Sequence, residues 1–295
     1  ADDGKTLAYD RMIVRQNIYA TTIPANGMGS VANARPITTG NQLVERFALS
    51  RDGKWLAFDS NIEGKQQIFV MPAAGGEARR VTRSSANDFA PNFSGDGSQI
   101  TFHSTRNGPR NIYVINTDGS GEQRLTTDST DAYNPAFSPD GLGIVFGRRE
   151  YTLHLLERAS RTDPWKGPTK LRVPIGYAPR WSPDGKEFAF DIRDANGGIG
   201  VMSPGGAPRA IYQGVGRWPE WSPDGRSIFF YGAEGTVPVL YEIPAAGGTP
   251  RVVLRFDVPR LRLQTSGPPA VGNGLVYFVL SELESDIYVM ELLRM

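Results

Sequence analysis

Apolar and polar residues alternate in short runs that return along the whole chain. Leu56/Phe58, Ile100/Phe102, Ile144/Phe146, Phe188/Phe190 and Ile228/Phe230 each stand third and fifth after a glycine. A period of two predicts strands that bury a regular row of side chains. A second apolar run follows each of them: "QIFVM", "NIYVI", "LHLLE", "GIGVM", "VLYEI", and near the two ends "NIYAT" and "DIYVM". A glycine-rich or otherwise polar turn comes next, then a third short run such as "RRVTR", "QRLTT", "KLRVP", "RVVLR" or "RPITT". Counting the strand ahead of the glycine, each unit holds four strands, A to D. The glycines, Gly4, Gly53, Gly97, Gly141, Gly185, Gly225 and Gly274, recur at intervals of 40 to 49 residues. Four antiparallel strands at that period make a β-propeller blade.

The phrase that joins A to B reads "LSRDG", "FSGDG", "FSPDG" and, twice, "WSPDG". It is turn chemistry. Proline presets φ, aspartate accepts backbone N–H groups, and glycine takes positive φ at little cost. A ring of metal-binding carboxylates is the rival reading, but successive aspartates fall in different blades, too far apart to share an ion. The A–B and C–D turns belong to one face of the ring, the D–A and B–C loops to the other.

The first repeat begins at its turn, without strand A. The last stops after strand C, without strand D. The expected fold is therefore an all-β propeller of four-stranded antiparallel blades, seven in number with the first and last incomplete; six blades is the alternative. Residues 1–295 read as a single propeller domain. It is expected to be the C-terminal segment of a longer parent whose preceding residues supply the missing D and A strands.

The stretch "PRWSPDGKEFAFDI" with "IGVMSPGGAPRAI" resembles the repeat of the TolB-like β-propellers, and the pattern recurs over nearly the whole chain. The resemblance implies the propeller fold and a bacterial origin, and leaves the ligand open, because function lives in sites grafted on folds. It also implies three settings: a free-standing binding or sensing propeller or scaffold, the accessory propeller of a prolyl-oligopeptidase-type peptidase, or the C-terminal propeller of a bacterial signalling protein such as a kinase or winged-helix regulator. A propeller enzyme such as a lyase is a further alternative.

Composition narrows the chemistry. With 32 Lys+Arg against 31 Asp+Glu, the chain lacks the basic excess of a nucleic-acid or membrane-surface binder. No apolar run is long enough to span a bilayer, so no membrane insertion is expected. Cysteine is absent and there are two histidines, which removes thiolate nucleophiles and any His/Cys metal cluster. No G-x-S-x-G or phosphate-cradling glycine motif occurs. His154 stands where other repeats place Phe69 or Tyr113 and reads as an aromatic substitute; His103 lies nearer a loop.

What remains is the D–A/B–C loop face. Its D–A loops carry Asp88, Phe89, Asp131, Tyr133, Tyr177, Arg180, Arg217, Trp218 and Glu220; its B–C loops add Arg15, Arg106, Arg110, Arg148, Arg149 and Arg193. Aromatic rings and arginines are the usual chemistry of an interface hot spot. The expected function is a non-enzymatic module that binds a protein or acidic peptide at this mouth. It is expected to act as a monomer without metal or cofactor, in the periplasm or another extracytoplasmic space, with the cytoplasm as the alternative. A second candidate is the long C–D loop from Glu157 to Lys170, whose Trp165 either folds onto its own blade or meets a neighbour.

Overall fold

The computed structural model describes residues 6–291 apart from positions 174 and 260, with side chains from Met12 to Glu284 and at Val289. The turn predicted at Gly4 lies outside the described residues. Five blades follow the repeat. The first runs Phe47–Leu49, Trp55–Ser60, Gln67–Pro72 and Arg79–Arg80. The second starts at Asp88–Phe93, the third at Ala132–Phe137, the fourth at Gly176–Trp181 and the fifth at Arg217–Trp221. Each is an antiparallel sheet in the order A-B-C-D.

The sixth blade corrects the expected count of seven. Its A and B strands are Ala270–Gly272 and the start of Leu275–Glu291; its C and D strands are the end of Thr6–Thr22 and Arg35–Pro36. The two half-repeats thus complete one blade between them, and the ring has six. The reason is local. Other repeats separate B from C with a loop such as "NIEGKQ" or "TRNGPR". Between "LAYDRMI" and "NIYAT" stands only "VRQ", and between "VYFVL" and "DIYVM" only "SELES". Neither has the glycine or proline of a reversal, so each pair of predicted strands runs on as one strand of 17 residues. The surplus length forms a two-stranded ribbon beyond the blade, from Thr6 opposite Glu291 inward.

The B-strand pairs predicted from periodicity are the core. Leu56, Ile100, Phe102, Ile144, Phe146, Phe188, Ile228 and Phe230 are fully buried. Their alternate neighbours are buried too, because each blade packs against the next on both faces; Ala57, for example, sits in one cluster with Phe93, Ile100 and Phe102 of the second blade. Outside the fifth blade, Gly29–Ser30 pairs in parallel with its D strand and covers that edge.

The repeated turn uses up its polar groups. In the first blade the Ser50 hydroxyl donates to Asp52 (2.6 Å) and accepts from the Trp55 N–H (2.9 Å). Asp52 accepts from the Lys54 N–H (3.1 Å), and Gly53 has φ +71°. Ser182/Asp184 and Ser222/Asp224 repeat the arrangement. The long loop of the third blade lies on its own sheet and reaches the second blade, where Arg161 pairs with Asp96 and Arg158 Nη2 donates to Gln99 Oε1 at 3.3 Å. Trp165 packs 6.1 Å from the Phe137 ring and carries Arg158 at 4.4 Å on its face.

Candidate binding mouth

Each A strand of the second to fifth blades enters from its loop with a residue, then a bulge, then proline: Phe89-Ala90-Pro91, Tyr133-Asn134-Pro135, Tyr177-Ala178-Pro179 and Arg217-Trp218-Pro219. The middle residue is left-handed every time, with φ of 55°, 54°, 50° and 58°. The sheet register shifts at the same four places. Bulges re-aim side chains, and here they belong to the strand ends that carry Phe89, Tyr133, Tyr177, Arg217 and Trp218 into one cavity of about 530 Å³.

Left-handed backbone is costly for a residue with a Cβ. Two buried carboxylates offset part of that. Asp191, at the end of the fourth blade's B strand, accepts the Trp218 N–H at 2.6 Å. Asp59, its equivalent in the first blade, accepts the N–H groups of Ala90 (3.0 Å), Glu45 (2.8 Å) and Arg46 (3.1 Å). Both therefore tie one blade to the next, and both are fully buried. Desolvation pushes Asp59 up to about 6 and Asp191 up to about 7, against the pull of the nearby arginines and backbone donors.

Tyr177 is the centre of the cavity's aromatic arc. Its ring lies 5.5 Å from Tyr133, 5.8 Å from Tyr151 and 5.4 Å from Trp218. Arg193 is stacked 4.6 Å over Tyr177 and held by Asp191 at 2.8 Å. Arg46 covers Trp218 at 5.3 Å and donates to the Ser266 carbonyl at 2.8 Å. Arg110 and Arg217 complete the set, and among the described residues neither is in an ion pair. Four guanidinium groups thus face one lining carboxylate, Glu45. His103 also lines the cavity, stacked on Phe89 at 5.6 Å, and burial holds its imidazole neutral. His154 stacks on Phe146, as an aromatic substitute would, and burial pushes it down to about 4.

Of the fifteen residues expected at the mouth, the structure brings seven together: Phe89, Arg110, Tyr133, Tyr177, Arg193, Arg217 and Trp218. The other eight are placed elsewhere or occupied. Asp88 is buried and paired with Arg106 at 3.0 Å, and Arg106 also pairs with Glu122. Asp131 accepts the Arg110 N–H at 2.7 Å. Arg148 is clamped by Asp128 at 2.5 Å. Arg149 is exposed in the short turn Arg149–Tyr151. Arg180 and Glu220 pair at 3.4 Å on the wall of the central channel, below the opposite face. Arg15, also expected here, pairs with Glu284 on the ribbon. Sequence reasoning left out Arg46, Tyr151, Asp59 and Asp191. Aligning the repeats finds the last two: the residue after the B-strand phenylalanine is Asp59, His103, Gly147, Asp191 and Tyr231 in turn.

The raised carboxylates give a pH test. Asp191 is raised above its unfolded value, so its contribution to stability is present in full below about pH 4 and lost as pH rises through about 7. The two histidines, pushed down, act in the opposite sense over part of that window. Comparison with a variant isolates the aspartate. Asp191→Asn cannot ionise, and its Tm relative to the parent is expected to shift in the variant's favour between pH 5 and pH 8. A constant difference over that range would show that Asp191 does not titrate there.

The profile described as the TolB beta propeller domain matches residues 1–165. Among solved structures, a protein assigned as TolB from Agrobacterium tumefaciens is 18% identical with a TM-score of 0.70, over 92% of this chain and 99% of that one. TolB from Acinetobacter baumannii is 19% identical with a TM-score of 0.62, over 81% and 67%. An oligogalacturonate lyase from Vibrio parahaemolyticus is 16% identical with a TM-score of 0.53, over 85% and 75%. Identities this low speak for the shared fold alone. Among curated protein sequences nothing matches the chain.

Proposed function

The chain belongs to the TolB β-propeller family, and from that premise we propose that it is a binding module, not an enzyme, whose mouth takes an acidic peptide segment of a partner protein. The observation that carries this reading is the pair Arg110 and Arg217, whose guanidinium groups have no carboxylate partner among the described residues, beside an aromatic arc already stacked with Arg46 and Arg193. Guanidinium groups hold carboxylates in a bidentate way, and rigid rings add contact area at low entropy cost. A periplasmic location is part of the proposal and rests on the family. No helix among the described residues is long and apolar enough to cross a membrane.

The test uses a glutamate-rich hexapeptide followed by fluorescence anisotropy. Arg110→Ala with Arg217→Ala is expected to weaken its binding at least tenfold, about 1.4 kcal/mol. Both residues are exposed, so the variant should fold. Trp218 is the wrong target, because it is 4% exposed and its indole N–H donates to the Thr265 carbonyl. Unchanged affinity in the folded double variant would remove the mouth as the site. An oligogalacturonide offered to the same protein separates binding from turnover: accumulation of an unsaturated product would replace this reading with a lyase.

A further inference from the structure

A second cavity opens on the face of the Ser-Pro-Asp-Gly turns, and all six blades line it. At one level each blade contributes one A-strand residue: Ala48, Asn92, Ala136, Arg180, Glu220 and Ala270. Three of the six are alanine, so a methyl group is enough to line the channel here. The fourth and fifth blades instead place a charge pair. Arg180 is 5% exposed. Burying ions takes several kcal/mol that their mutual attraction only partly returns, and packing gives no reason for it.

The pair is also incomplete. The Arg180 Nε lies 3.4 Å from the Glu220 carboxylate, and Nη1 donates to the Pro179 carbonyl at 2.8 Å. Nη2 has no partner among the described residues. Among the described residues, Glu220 Oε1 accepts only the N–H of Trp221, at 3.1 Å. The walls are fixed. The Trp221 indole donates to the Arg180 carbonyl (3.0 Å), and the Trp181 indole to the Ala136 carbonyl (3.2 Å). Leu49, Val271 and Pro183 add apolar surface. The cavity holds about 280 Å³, just below the roughly 300–1,000 Å³ of sites for drug-sized ligands, and suits a molecule of amino-acid size. Across its opening the Arg51 guanidinium reaches from the first blade to the Pro183 carbonyl of the fourth, on the far side of the ring, at 3.0 Å.

We propose that this turn-face chamber is a binding site for a small zwitterion with an apolar side chain, an α-amino acid being the simplest. The ligand carboxylate meets Arg180 Nη2, its ammonium group meets Glu220, and its side chain lies against the tryptophan and proline walls. A simple anion would face Glu220 and a simple cation would face Arg180; only a ligand carrying both charges satisfies both groups. Arg51 is the latch that a ligand must displace on the way in.

The probes are L-leucine, N-acetyl-L-leucine and L-leucinamide, followed by calorimetry and NMR line shapes. L-leucine is expected to bind saturably, and each blocked form at least tenfold more weakly. In Glu220→Gln the order should invert, with N-acetyl-L-leucine now ahead of L-leucine, because the arginine is left without its counter-charge. Arg51→Ala, at an exposed residue outside the pair, is expected to raise both association and dissociation rates at least tenfold. Absence of L-leucine binding at millimolar concentration, blocked forms that bind as well as L-leucine, or exchange rates untouched in Arg51→Ala would each overturn the assignment. Binding of the acidic hexapeptide at the opposite mouth is independent of all three.

Discussion

Removal of residues 1–22 is expected to abolish cooperative unfolding. Those residues carry the C strand of the sixth blade, which joins its B strand to its D strand. Ile18 and Ala20 belong to the core shared with Phe47, Leu56 and Phe58 of the first blade. Tyr19 belongs to the core shared with Leu254 and Phe256 beside the fifth. Losing the Ile18 and Tyr19 side chains would each remove about 1.5–3 kcal/mol of burial. Phe278 and Tyr277, both buried now, would also face water across an unpaired strand edge. Together these losses reach the size of a domain's whole net stability, about 5–15 kcal/mol. Circular dichroism and a denaturant titration decide the matter. A native spectrum with a single sharp transition in the shortened chain would mean that the ring does not depend on this clasp.

The largest effect expected of one atom group is at Gly95. A Cβ there would lie 1.8 Å from the carbonyl oxygen of Pro139 and 2.7 Å from its carbon. Both obstacles are backbone, so no rotamer can relieve them. Overpacking usually costs about 1–3 kcal/mol and sometimes more, and Gly95→Ala should fall at or above the top of that range. Gly97, in the same turn, is the control. It has φ +72° and nothing within 4 Å of the place a methyl group would take, so Gly97→Ala carries backbone strain alone, about 1–2 kcal/mol. If urea titrations rank Gly97→Ala as the more damaging, the close approach of the two turns is not what fixes glycine at 95.

Gly95 also shows what could be read from the sequence. The other full turns carry proline or arginine at this position, and "FSGDG" looks like drift from the repeat. It is a fitted position, but the fit is to the next blade, a contact that no single repeat encodes. The same limit explains the blade count. Periodicity and turn chemistry identify each strand segment, because those signals are local. Whether two segments reverse or run on depends on a turn signal missing from "VRQ" and "SELES", and absence is harder to read than presence. The mouth divides along the same line. Residues beside the A-strand prolines arrive together because the bulge repeats. Arg106 and Arg148, alike in sequence to Arg193, are drawn off by Asp88, Glu122 and Asp128, whose positions follow from loop geometry.

The ring closes through side-chain packing between blades and, in the sixth blade, through hydrogen bonds between the two ends of the chain, with no covalent link across it. Thr6 stands opposite Glu291, and Thr22 opposite Leu275, so both strands leave the blade in the same direction. Tension applied across Thr6 and Glu291 would load the outermost pair first and pass inward one rung at a time. That is the peeling geometry of a zipper, in which the force at any moment rests on a few hydrogen bonds, whereas shear would share it along the ladder. The blade that completes the ring is therefore its mechanical weak point, and a pull that parts the ribbon runs straight on into the core at Ile18 and Val279.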